Sequence, residues 1–252
     1  MAKLLEVKKI YKCFNNESGN QVNVFNGLSL NIQDGEIIAL LGHNGCGKTT
    51  LFNIVAGVVK QDKGDIILNN KNLNNLKENQ RSSYISKVYQ DPARGISPSL
   101  TILENMSMAD KKGKISTLGM LVNKKRIEYY KSMLGKLGIG LEDKLDVKVK
   151  YLSGGQRQAL SLLMATMKQP KLLLLDEHTA ALDPKTSKII LDKTLEMIRE
   201  FKITTIMISH NVRDAIKYSD RVIMLNKGRI VLDIVSNLID EDKLMTAYNE
   251  QY

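Results

Sequence analysis

The run Gly42-His43-Asn44-Gly45-Cys46-Gly47-Lys48-Thr49-Thr50 gathers groups that handle phosphate. It fits G-x-x-x-x-G-K-[ST] at every fixed position. Glycines let the backbone wrap close and aim its N–H groups at phosphate oxygens. Lys48 brings a compact cation to the β- and γ-phosphates, and Thr49 offers its hydroxyl to Mg²⁺. A second run, "KLLLLDEHTAALD" from Lys171 to Asp183, ends four leucines on two acids. Asp176 stands at the C-terminal end of that strand, where ligands gather in open α/β sheets, and reads as the Mg²⁺-associated carboxylate. Glu177 reads as a general base for an attacking water. A third run, Leu152–Gln158 "LSGGQRQ", has the form of an anion-binding nest at a helix N-terminus. One phosphate loop already serves this chain, so the second nest needs a separate reason. Inside the loop, His43 reads as a solvent-facing residue. Cys46, beside Lys48 at a helix start, has the setting of a reactive thiol, with a thiol too buried to react as the alternative.

These side chains need strands that end, and helices that begin, at one edge of a sheet. Apolar alternation predicts strands at 4–7, 22–25, 28–32, 64–68 and 84–88, with a buried strand at 36–41 running into the glycine loop. A helix over 48–56 follows, ended near Gly57. Between 91 and 150 the texture changes. Amphipathic stretches at 102–108 and 125–137 predict a mostly helical lobe inserted into the α/β core. Residues 110–117, "DKKGKIST", read as an exposed loop. The α/β rhythm then returns, with helices at 156–167, 186–201 and 212–217 and strands at 172–175, 203–208, 221–225 and 229–233. Alternating buried strands and helices imply a parallel sheet covered on both faces.

The 252 residues suit one domain with an inserted lobe, and 43% hydrophobic content can build a core. No uninterrupted apolar run reaches the roughly 18 residues of a membrane span. The first residues lack the apolar core and cleavage site of a signal peptide. Two cysteines, Cys13 and Cys46, are too few for a disulfide framework, so a reducing cytosol is expected. The net charge of +10 is carried by scattered lysines and reads as solubilising, with a polyanionic partner as the alternative.

Taken with "LSGGQ", these residues resemble the ATP-binding cassette family, the nucleotide-binding subunits of ABC transporters. The resemblance covers about residues 3–235, with the family's motifs in order. It implies a P-loop NTPase core with a mostly parallel sheet, an N-terminal antiparallel β subdomain and the helical lobe. In its terms the chain is a single ATPase domain: residues 1–90 and 151–235 form the catalytic core, 91–150 the helical subdomain and 236–252 a C-terminal helical tail. Gly42–Thr50 is then the Walker A loop, and Asp176 and Glu177 are the Walker B aspartate and catalytic glutamate. Gln90 matches the glutamine that links the γ-phosphate and Mg²⁺ to the helical lobe. Ser153, Gly154, Gly155 and Gln156 form the signature motif. Ala181-Leu182-Asp183 resembles the D-loop, and His210 matches the switch histidine. Phe14, or else Tyr11, is placed like the aromatic that stacks on adenine. His178 stands where the family usually has proline, and Cys46 where serine is frequent.

The resemblance supplies the reason for the second nest. In the family two subunits close head to tail, and the signature motif of one covers the γ-phosphate held by the other. It implies ATP and Mg²⁺ as cofactors and a homodimer as the working unit. It also implies membrane permease subunits as partners, an extracytoplasmic substrate-binding protein indirectly, and a place on the cytoplasmic face of the membrane. The 128 positions between Lys48 and Asp176 leave no room for a long coiled-coil arm. "LDVKVKY" ahead of the signature departs from the Glu-rich stretch of exporters, which points to an importer. "DEHTAALDPKT" and the segment from Met207 to Ile234 look most like ATPases of tryptophan/tyrosine-type importers. The alternative is an ABC ATPase directed at nucleic acid.

Overall fold

The computed structural model describes residues 2–15, 21–111, 122, 124–167, 169–177 and 182–249. In chain order its elements are β1 (Lys3–Asn15), β2 (Gln21–Gln33), β3 (Ile37–Leu41), α1 (Lys48–Ala56), β4 (Lys63–Leu68), β5 (Lys71–Asn72), α2 (Glu78–Arg81) and β6 (Ile85–Val88). They continue with α3 (Ile102–Lys111), α4 (Ile127–Gly135), α5 (Gly154–Thr166), β7 (Leu172–Asp176), α6 (Pro184–Glu200), β8 (Thr204–Ile208), α7 (Val212–Tyr218), β9 (Arg221–Asn226), β10 (Arg229–Val235) and α8 (Glu241–Asn249). The chain divides into two compact units, Met1–Ile85 with Ile203–Tyr252, and Ser86–Lys202.

The first unit holds two strand systems. An antiparallel sheet runs in the order β2-β1-β4-β5. Its inner face carries Leu5, Val7, Ile10, Phe25, Leu30, Ile32 and Ile66, all buried, while Lys3, Lys8 and Lys9 of β1 are exposed. The second system runs in the order β10-β9-β3-β8. Here β3 lies parallel to both neighbours, with Ile38 opposite Ile206 on one side and Arg221 on the other. All five residues of β3 and of β8 are buried. A continuous apolar strand is what a parallel sheet covered on both faces demands. The hairpin from β9 to β10 turns through Lys227 and Gly228, both at positive φ (43° and 74°). Two such residues match the twist of the flanking strands.

The helix α1 has the expected bounds, for local reasons. It begins after Gly47 and ends at Gly57, whose left-handed backbone (φ 84°) lets its N–H bond the carbonyls of Asn53 and Ile54. The buried Arg81 closes the same end. Its guanidinium donates to the carbonyls of Ile54, Val55, Leu73 and Leu76 at 2.8–3.0 Å.

In the second unit β6 and β7 are neighbours in a sheet; α5 packs against α3, α4 and α6, and α3 against α4, with Ile102, Met106, Leu134, Leu160, Leu163 and Ile190 of these helices buried. Tyr130 of α4 is fully buried and donates its hydroxyl to Asp110 at 3.0 Å. Burial pushes that phenol up from its usual range.

Some boundaries differ from the sequence reading. The strands expected at 22–25 and 28–32 are one strand, β2, which passes through Gly27 at φ 83°. Asp110 and Lys111, expected in a loop, extend α3, and residues 112–117 lie outside the described residues. His178 and Ala181 also lie outside them.

Candidate functional site

The glycine loop follows β3 directly, and each glycine has a different reason. At Gly42 (φ 146°) a Cβ would strike the Leu225 carbonyl and lie 2.7 Å from Cys46 Sγ. At Gly47 (φ 110°) it would lie 2.9 Å from the Phe25 ring. Gly45 (φ 80°) faces open space, with no atom within 4 Å of a Cβ built there. The loop is thus packed on one side and open on the other, as close approach of a ligand to backbone requires. Asn44, Gly45 and Thr49 are exposed, and Thr50 is half-buried.

Lys48 is only 5% exposed. Its ammonium folds back over the loop and donates to the carbonyls of Gly42 (2.5 Å) and His43 (3.0 Å). Cys46 points the other way from the expectation of a reactive thiol. It is 6% exposed, with Sγ beneath Gly42 and 4.0 Å from Lys48 Nζ. His43 is not solvent-facing either. Its Nε2 lies 2.7 Å from the Tyr248 carbonyl of α8, and the two rings are 4.5 Å apart.

His210 is exposed just past the end of β8, between that strand and the Asn211 cap of α7. The Ser209 N–H reaches the Leu40 carbonyl at 3.4 Å, so His210 and the glycine loop leave the sheet at the same edge. Phe14 and Tyr11 are 40% and 38% exposed. The Tyr11 hydroxyl lies against Gly27, 3.3 Å from a Cβ built there. Phe14 has Lys12 Nζ 4.9 Å from its ring centre. Lys12 is held by Asp62 at 2.8 Å, and Asp62 also accepts the Cys13 N–H at 2.7 Å. The lysine first, then that N–H, hold the Asp62 carboxyl below the usual range.

In the second unit Gln90 is exposed two residues past the end of β6, and Gln158 of α5 donates to the Tyr89 carbonyl beside it at 3.4 Å. An open cavity of about 600 Å³ is lined by Gln90, Asp91, Pro92, Gly154, Arg157 and Gln158. The structure therefore brings Gln90 and the Ser153–Gln156 turn to one surface. The Ser153 hydroxyl accepts the Gln156 N–H and Gln156 Oε1 accepts the Ser153 N–H, so two N–H groups of the turn are already bonded. Those of Gly154 and Gly155 open the helix and have no intrahelical acceptor.

Asp176 closes β7, and Glu177 follows it at φ 46°, a left-handed backbone unusual for a side chain of this size. Asp183 caps α6, accepting the Thr186 N–H at 3.0 Å. The side chain and then the N–H of Thr186 hold its carboxyl below the usual range.

Sequence reasoning missed Lys87 of β6, whose ammonium lies 3.2 Å from Asp176 Oδ2. A lysine inside the apolar run "YISKV" was the available signal.

Comparison with known proteins gives one consistent result. The family model for the ABC transporter matches residues 25–180. The chain is 46% identical over 231 residues to a tyrosine transport ATP-binding protein of Clostridioides difficile, covering 92% of each. It is 36% identical over 235 residues to a xylose/arabinose import ATP-binding protein of Sulfolobus acidocaldarius, covering 92% of this chain and 88% of that one. Among solved structures it is similar to the dimeric, post-hydrolysis ATP-binding cassette MJ0796 bound to ADP and Pi. The TM-score is 0.78 at 25% identity, over 92% of this chain and 99% of that one.

Proposed function

This chain belongs to the ABC transporter family as an ATP-binding, ATP-hydrolysing subunit, and from that membership we propose that it powers the import of an amino acid. Its partners are separate permease subunits at the cytoplasmic face of the membrane, and it works as a head-to-tail pair with a second copy. The observation that carries the chemistry is the glycine loop: packed from behind, open at Gly45, and overlaid by the Lys48 ammonium. The importers among the relatives favour transport over action on nucleic acid.

In this reading the loop N–H groups and Lys48 hold the β- and γ-phosphates, and Lys48 exchanges its two carbonyl partners for phosphate oxygens. Phe14 stacks on the adenine. By chemistry alone Asp176 (a carboxylate), Thr49 (a hydroxyl) and Gln90 (an amide) are hard oxygen donors of the kind that Mg²⁺ takes, and these residues would hold it. When bound, the ion neutralises charge building on the phosphate oxygens. Glu177 orients the attacking water and accepts its proton, while His210 contacts the γ-phosphate. Ser153, Gly154, Gly155 and Gln156 of a partner copy cover the same phosphate, with Asp183 beside the interface. Gln90 passes the state of the γ-phosphate to the lobe at 91–150, which moves the permease. Catalysis is chiefly positioning and charge stabilisation.

The test is uptake of labelled tyrosine, xylose and spermidine by cells with and without the gene. Loss of tyrosine uptake alone is expected. Loss of sugar or polyamine uptake with tyrosine intact would overturn the cargo, and no loss of any would remove tyrosine as the cargo.

A further inference from the structure

The carboxylate of Asp176 already has a cation. Lys87 Nζ lies 3.2 Å from its Oδ2, and the two side chains are only 8% and 13% exposed. The same ammonium sits 4.8 Å from the centre of the Tyr89 ring, which fixes its direction. The rest of the strand, Ile85, Ser86 and Val88, is buried and uncharged, so packing alone gives no reason for lysine at this position. Removing an ammonium from water is costly unless a partner compensates it, and Asp176 is that partner. The pairing has an electrostatic consequence. A carboxylate in contact with an ammonium presents little net charge to a divalent cation, and Mg²⁺ gives up its water reluctantly.

We propose that Lys87 is a positioning residue for Asp176, holding one carboxylate oxygen and masking its charge so that the divalent cation settles only when nucleotide phosphates supply the missing negative charge. The inference rests on the reading of Asp176 as the carboxylate on the metal's side.

Mn²⁺ replaces Mg²⁺ at such oxygen sites and its free signal is read by electron paramagnetic resonance. The full-length protein without nucleotide should bind Mn²⁺ weakly. Lys87→Met should bind it at least about tenfold more tightly, and Lys87→Arg should behave like the wild type. Adding Asp176→Asn to Lys87→Met should return binding to the weak level. Should Lys87→Met fail to fold, Lys87→Gln carries the same expectation. Unchanged nucleotide-free affinity in the neutral variant overturns the proposal, as does Lys87→Arg behaving like Lys87→Met. A parallel titration of Mn²⁺ with ATP separates the two readings. If Asp176→Asn weakens that binding while Lys87→Met leaves nucleotide-free affinity unchanged, only the role of Lys87 falls. If Asp176→Asn binds Mn²⁺ with ATP as the wild type does, both roles fall.

Discussion

Ser153 and Gln156 hold each other across the first turn of α5: the Ser153 hydroxyl accepts the Gln156 N–H, and Gln156 Oε1 accepts the Ser153 N–H, both at 3.2 Å. This reciprocal cap accounts for two residues of the Ser-Gly-Gly-Gln turn by local structure alone. A third is accounted for by a neighbour. A Cβ at Gly155 would lie 2.5 Å from Cγ2 of Thr186, the residue that bonds the Asp183 cap of α6. Gly154 is different, because a Cβ there meets nothing closer than Leu182 at 3.8 Å.

The two glycines should therefore separate structure from function. Gly155→Ala should lower stability by about 1–3 kcal/mol, because the Thr186 side chain must turn away, giving up its side-chain bond to Asp183. Gly154→Ala should be as stable as the wild type, since alanine suits a first helical turn, yet should lose ATP capture by the dimer. Urea unfolding and ATPase assays of both variants check this. Equal loss of stability in the two would remove the distinction.

Arg81 offers a test of what keeps α1 in place. Its guanidinium serves four carbonyls, two of them at the end of that helix, and it is 2% exposed. Burial pushes its pKa down, so the ion depends on those acceptors. Arg81→Met fills the space but leaves the carbonyls unbonded, and should cost about 2–4 kcal/mol. Gly57 is tied to the same contact, since a Cβ there would sit 2.8 Å from Arg81 Cδ. Gly57→Ala should therefore destabilise too. A loss under about 1 kcal/mol for Arg81→Met in urea would mean that water replaces the guanidinium.

What could be read in advance follows from how local each feature is. The glycine loop and α1 carry their own start and stop signals, so Lys48–Ala56 was expected and is found. The buried strands β3, β7 and β8 are apolar runs that declare themselves. The tertiary partners do not. Lys87 pairs with Asp176 across 89 positions, and His43 meets Tyr248 across 205. No periodicity within either segment marks such contacts. Gln21–Gln33 misled for the opposite reason. Gly27 looks like a break between strands, but its left-handed backbone is absorbed where the β1–β2 register shifts next to Leu28, and the ladder continues.

Cys46 shows the same limit and gives a third expectation. Its loop position suggests reactivity, but the thiol is tucked under Gly42. In a Cys13→Ser background, labelling by a bulky maleimide should be slow in the folded protein and fast in urea. Bound ATP should slow it further by restraining the loop. Rapid labelling of the folded, nucleotide-free protein, followed by mass spectrometry, would show that the loop opens in solution.

The last expectation concerns the two nests. Suppose that the Ser153–Gln156 turn completes a partner copy's site. Place every protein in the Glu177→Gln background, which should bind ATP without turning it over, so that captured ATP stays captured. Prepare one version with Lys48→Ala and another with Ser153→Arg. The arginine is chosen for bulk and charge at a position where only a small donor should approach phosphate. Alone, each should fail to hold ATP, because every site in either homodimer has one damaged half. In a heterodimer, one site joins the damaged loop to the damaged turn, and the other joins an intact loop to an intact turn. The mixture should recover about one captured ATP per heterodimer, as two-fold pairing requires. If the loop and the turn served the same copy's nucleotide, each chain would carry its own defect and mixing would restore nothing. Crosslinking shows whether heterodimers have formed. A mixture that contains them and still captures no more ATP than its parts would rule out the shared site.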